Sequence, residues 1–127
     1  MVDSDVSPAD GDERPVTYVP DDVMQAGMAT TRAYALAILH EGPAYHDEGA
    51  RAIVWEHGRR NFGLRADGLL NVVCPVTDDS DVCGVGIFDA TVEEVERIMA
   101  GDPGVVAGVF RYDVHACRSF PGDALAP

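Results

Sequence analysis

The sequence predicts an α+β fold of β-α-β-β-α-β order, a ferredoxin-like domain with two helices on one face of a four-stranded antiparallel sheet. Three observations predict it. Four apolar runs of strand length end in Gly, Pro or Asp turns. Two segments between them carry apolar residues at helical spacing. Within the strands both alternating side-chain sets are apolar, as with Leu36 and Ile38 against Ala35, Ala37 and Leu39. The face without helices therefore needs a cover, and the sheet of a second subunit is the simplest one.

Arg32 to His40 is the first strand, stopped by Gly42-Pro43. From Asp47 to Ala66 the pattern is helical. Ala50, Ile53, Val54, His57, Asn61 and Leu64 share one side, and Asp67-Gly68 ends the helix. Leu69 to Cys74, closed by Pro75, is the second strand, and the turn chemistry of Thr77-Asp78-Asp79-Ser80 leads to a third, Val82 to Phe88. Thr91 and Glu94 make a capping box for a second helix with Val92, Val95, Ile98 and Met99 inward. Gly101-Asp102-Pro103 ends that helix, and Val105 to Ala116 is expected as the last strand. The domain spans residues 31–118, with a frayed tail over 119–127.

Residues 1–30 read as an acidic extension, largely disordered or docked. Asp3, Asp5, Asp10, Asp12, Glu13, Asp21 and Asp22 alternate with Pro8, Pro15 and Pro20, and Val16-Thr17-Tyr18-Val19 is the one apolar island.

Twenty-two acidic residues oppose nine arginines and no lysine, for a formal charge of -13. Phosphate backbones and anionic lipid surfaces are repelled by such a chain, so nucleic acid and membrane are excluded as partners. Acid-rich, lysine-free composition suits a salty cytoplasm, where repulsion between carboxylates is screened. A genome bias toward Arg codons is the plainer explanation, and the excess of 15 Asp over 7 Glu favours the salty one. No apolar run reaches the roughly 18 residues of a membrane span. The acidic start, Met1-Val2-Asp3-Ser4-Asp5, is unlike a signal peptide, so the expected location is cytoplasmic. Cys74, Cys83 and Cys117 are odd in number and too few for a disulfide scaffold; Cys74 and Cys83 are expected as buried small hydrophobes.

Among residues able to carry chemistry, His57 stands first. Its place on the inner stripe beside Ile53, Val54 and Leu64 buries the ring, and a buried imidazole needs a hydrogen-bond partner. Asp102 is the natural one, since the turn before Pro103 can aim its carboxylate inward; the plainer role for Asp102 is a helix stop. His46 lies about 16 Å before His57 if the helix already runs from there, too far for contact. His40, His46, His57 and His115 show no metal-ligand spacing, and neither metal nor organic cofactor is expected. Gly84 and Gly86 precede more strand rather than a helix, so they mark close approach or twist, not a dinucleotide loop. Trp55 and Phe62 fall on the helix side away from His57, flanked by Arg51 and Arg59. Aromatics beside arginines compose a contact centre, for the chain's own apolar island or for the matching helix of a second dimer in a tetramer.

The chain resembles the YCII-related proteins, a family within the dimeric α+β barrels that include muconolactone isomerases and small monooxygenases. The resemblance covers residues 33 to about 118. It rests on His57-Gly58-Arg59-Arg60 followed by Ala66-Asp67-Gly68-Leu69-Leu70, on Gly101-Asp102-Pro103 with Val106-Ala107-Gly108-Val109-Phe110, and on Tyr112-Asp113-Val114-His115. It implies a dimeric α+β barrel and a pocket in which His57 is the helix histidine and Asp102 its paired aspartate. One member of the family removes chloride from a chlorinated hydroxyhydroquinone. In the second strand the family often has Ala-Gly-Pro where this chain has Val73-Cys74-Pro75, which brings a side chain to the implied pocket rim. The acidic extension lies outside the family pattern.

Two functional readings stand side by side. In one, a homodimeric enzyme or ligand binder uses His57 and Asp102 for proton shuttling of the isomerase, lyase or dehydrochlorinase type on a small metabolite, aromatic ones included. In the other, the pair satisfies itself inside a non-catalytic dimeric module. A free imidazole nitrogen facing a cavity favours the first, and one that meets a carbonyl favours the second.

Overall fold

The computed structural model describes residues 14–127. Its elements are α1 (Asp21–Met28), β1 (Arg32–Glu41), α2 (Ala50–Ala66), β2 (Leu70–Pro75), β3 (Val82–Phe88), α3 (Val92–Ala100), α4 (Pro103–Val106) and β4 (Phe110–Ser119). The described residues divide into two units, one ending at Thr30 and the other Thr31–Pro127. In the second unit the strands pair antiparallel in the order β2-β3-β1-β4. This α+β order is consistent with a ferredoxin-like arrangement.

Strand parity decides which side chains meet the helices. In the β1–β3 pair, Ala35 faces Phe88, Ala37 faces Gly86 and Leu39 faces Gly84. Ala35, Ala37 and Phe88 pack with Leu70 of β2 and with Val95 and Met99 of α3 into the larger core cluster. The alternate residues form the opposite face: Leu36 pairs with Ile87 and Ile38 with Val85, all only partly buried. Two small residues on the helix side, Ala35 and Ala37, let α3 lie close to the sheet.

Within the acidic extension, Asp21–Met28 forms a helix; its first turn holds Asp21 and Asp22, whose charges suit the helix N-terminus. Residues 1–13 of that extension lie outside the described residues. Three expectations are corrected. The long helix starts at Ala50, not Asp47. Tyr45, Asp47 and Ala50 donate successive turn hydrogen bonds to Gly42, Ala44 and Asp47, and Gly49 at φ 91 takes the left-handed conformation that separates these turns from the helix. Val105 does not open the last strand: residues 103–106 form the short helix α4, and the chain turns through Gly108 at φ 76 before β4 begins at Phe110. Finally, Cys74 is exposed rather than buried, while Cys83 and Cys117 are part-buried; all three thiols are free.

Candidate functional site

Residues 45 positions apart are joined where α2 passes the junction of α3 and α4. His57 Nδ1 lies 2.8 Å from Asp102 Oδ1 and 2.9 Å from Oδ2. Both residues are buried, His57 at 8% exposure and Asp102 at 1%.

Asp102 reaches this place because it is the N-cap of α4. With Pro103 in the first helical position, the Asp102 backbone is extended, and its Oδ2 accepts from the N–H groups of Gly104 at 2.9 Å and Val105 at 3.3 Å. Gly104 is required by close approach: a Cβ there would lie 2.5 Å from Cδ2 of Phe110. The Phe110 ring thereby passes over α4 and stands 4.8 Å from the imidazole, centroid to centroid. Arg60, one turn along α2, donates to the carbonyl of Ile98 at 2.7 Å and lies 3.8 Å from Asp102 Oδ1, which ties α2 to the end of α3.

The protonation pattern of the ring follows from its neighbours. A carboxylate that accepts two backbone N–H groups presents lone pairs to the imidazole, so Nδ1 carries the hydrogen and donates. In the neutral ring Nε2 then holds a lone pair. Asn61 Nδ2 lies 3.2 Å from it and is placed to donate. Asn61 is four residues from His57, one helical turn on the same side. That spacing was visible in the sequence, but nothing there distinguished Asn61 from the rest of the stripe. Arg60 and Phe110 lie in the motif segments that carry the resemblance, but the sequence assigned them no role, because their roles depend on where α3 and β4 arrive.

His57 and Asn61 line a cavity of about 380 Å³ between α2 and the β2–β3 hairpin. Its floor is the backbone of Gly84 and Gly86, and Val73, Cys74 and Pro75 of β2 form one side. A Cβ at Gly84 would come no closer than 3.4 Å to the Cys74 carbonyl oxygen, so packing alone would tolerate a methyl there. The rest of the wall is mainly apolar, with Leu39, Leu70, Phe88 and Met99. Tyr45 and Cys83 supply further polar groups. Burial, with Glu41 next, pushes the Cys83 thiol up from its ordinary range. Tyr45 is pushed up chiefly by the charge of Cys83 when ionised, then by burial. Both groups therefore keep their protons through the neutral range.

Trp55 and Phe62 are exposed, at 70% and 72%. Phe62 also stands at the rim of the cavity, so the flank of α2 between His57 and Phe62 is the cavity wall. Trp55 lines a neighbouring groove with Arg51 and Arg59, and Tyr45, Val54, Gly58 and Phe62 border both it and the cavity.

His40 lies away from this site, between Asp113 at 3.1 Å and Asp81 at 3.7 Å, and His46 stands 3.5 Å from Glu41. Among the described residues no group of three His, Cys, Asp or Glu is placed to hold a metal ion, and no helix is long and apolar enough to cross a membrane. No family model matches the chain, and no curated protein matches it in sequence.

Proposed function

We propose that residues 31–118 act as a YCII-like acid–base enzyme or ligand-binding protein, working as a homodimeric α+β barrel on a small metabolite, aromatic rings included. One observation carries the reading: an imidazole whose Nδ1 is held by a buried carboxylate has its Nε2 edge at an apolar cavity. Asp102 holds the tautomer and stabilises the imidazolium once Nε2 has taken a proton. The arrangement suits an isomerase, lyase or dehydrochlorinase, and its proton transfers call on no cofactor. The family resemblance is supported by the meeting of its two motif segments, around His57 and around Asp102. The barrel is supported by the half-buried apolar face of Leu36, Ile38, Val85 and Ile87. The acidic surface fits a protein of a salty cytoplasm.

A metabolite screen by thermal shift tests the site, since a ligand that binds only the folded chain raises its melting temperature. Compounds that stabilise the native protein are expected to lose that effect in His57→Asn. Equal stabilisation of both proteins would place the ligand elsewhere and reject the reading. Light scattering is expected to give twice the 13.5 kDa chain mass.

One observation favours the non-catalytic module. The Asn61 amide already satisfies Nε2 at 3.2 Å, so the His57–Asp102 pair is complete without a ligand. Asn61 is part-buried and at the cavity wall, where a ligand can replace it.

A further inference from the structure

The cavity wall carries two polar groups of complementary kind: the Nε2 lone pair of His57 and the phenolic hydroxyl of Tyr45. The Phe110 ring is 4.8 Å from the imidazole and 6.2 Å from the Tyr45 ring, centroid to centroid. Both Tyr45 and His57 line the same space.

The neighbour of the Tyr45 hydroxyl is the Cys83 thiol, and that thiol donates to the Asp81 carbonyl at 3.7 Å. Sulfur is a poor acceptor, so a carbonyl oxygen entering the cavity replaces it readily. Among the described residues Arg65 is the one Lys or Arg at the wall, and it is exposed. A buried carboxylate or phosphate would lack a buried counter-charge here. The chemistry that matches both groups is a neutral molecule with an acceptor oxygen and, beside it, a weakly acidic hydrogen.

We propose that Tyr45 is a second catalytic residue of this cavity, donating a hydrogen bond to the carbonyl oxygen of an enolisable ketone or enone while His57 removes the adjacent carbon's proton. The proposal rests on the acid–base reading of His57 above. In the step, the Nε2 lone pair takes the α-proton and the C–H pair becomes the carbon–carbon double bond of the enolate. The carbonyl π pair moves onto oxygen, where the Tyr45 hydrogen bond strengthens as charge develops. Return of the proton from His57 to the same carbon gives exchange. Return to the γ-carbon of an enone gives double-bond migration. No oxidant or co-reactant enters.

The experiment follows loss of the α-proton signal of cyclohex-3-en-1-one in D2O by NMR, using the full chain. The native protein is expected to accelerate exchange over buffer. Tyr45→Phe should lower kcat about 100- to 1,000-fold, the usual cost of removing one such donor, with little change in KM. Cys83→Ala should move the alkaline limb of kcat to lower pH, because the thiolate that pushes the phenol up is gone; Glu41 and His46, which also face Tyr45, remain. This limb tests the role even if Tyr45→Phe folds poorly. Unchanged kcat in Tyr45→Phe, or an unmoved limb in Cys83→Ala, overturns the role of Tyr45 and leaves His57 standing. Absence of exchange in the native protein overturns the substrate class. Undiminished exchange in His57→Asn overturns the acid–base reading itself.

Discussion

The N-termini of α3 and α4 are closed by the same chemistry in opposite surroundings. At α3 the Thr91 hydroxyl accepts from the Glu94 N–H at 3.1 Å, and the Glu94 carboxylate accepts from the Thr91 N–H at 2.7 Å. Both side chains are exposed, and the device does nothing beyond ending the helix. At α4 the Asp102 carboxylate accepts from Gly104 and Val105, but it is buried, and its remaining lone pairs face His57. α4 is a single turn of four residues, with two of its N–H groups bound by this cap. What the cap achieves is a fixed carboxylate: two backbone N–H groups aim it while α2 brings an imidazole. Burial, not residue type, turns a capping carboxylate into part of a site.

That contrast can be broken by substitution. The largest effect is expected for Asp102→Ala, which strands the Nδ1 hydrogen of His57 and two backbone N–H groups in a buried place. Urea unfolding should show a loss of about 3 kcal/mol or more. A loss no larger than that of Thr91→Ala would erase the distinction between the two caps. Gly104→Ala comes next, because its methyl would meet the Phe110 ring; overpacking of this kind costs about 1–3 kcal/mol, and the Phe110 ring signals should shift by NMR. Thr91→Ala removes an exposed cap and should cost about 1 kcal/mol in the same unfolding assay.

The smallest effect is a pH dependence. Hydrogen bonds from the Thr91 N–H, then from its hydroxyl, hold the Glu94 carboxyl below its ordinary range. A depressed folded-state pKa means stability that is present above the unfolded value and lost as pH falls through the folded one. Glu94→Gln should therefore flatten the acid-side slope of the urea midpoint against pH. Asp89, lowered by Arg32, and Asp78, lowered by Ser80, keep part of that slope in place. A slope unchanged by Glu94→Gln would show that the capping box is not maintained in solution.

Local pattern made several parts of the molecule legible. The β3 bounds, the capping box and the inward set of Val95 and Met99 depend on neighbours within a turn or a strand, and the structure has them where periodicity put them. The start of the last strand was misread for a related reason. Val105 and Val106 are apolar and β-branched, but Asp102, Pro103 and Gly104 begin a helical turn whose need is set by packing on α2 and Phe110. The exposed pair Trp55 and Phe62 was read correctly as outward-facing. That Phe62 also edges the cavity could not be read, because the hairpin that forms the opposite wall arrives from elsewhere in the chain.

The sequence by itself determined the order of the four strands and of α2 and α3, the acidic composition and the burial of His57, since each follows from composition or from spacing along one helix or strand. Only the tertiary structure decided that Asp102 caps α4 while holding His57, that Asn61 meets the second imidazole nitrogen, and that Tyr45 shares the cavity across Phe110. Those facts depend on the antiparallel order β2-β3-β1-β4 and on the angle at which α2 crosses it. They are contacts between residues far apart in the chain, where hydrophobic periodicity says which side is buried but not against what.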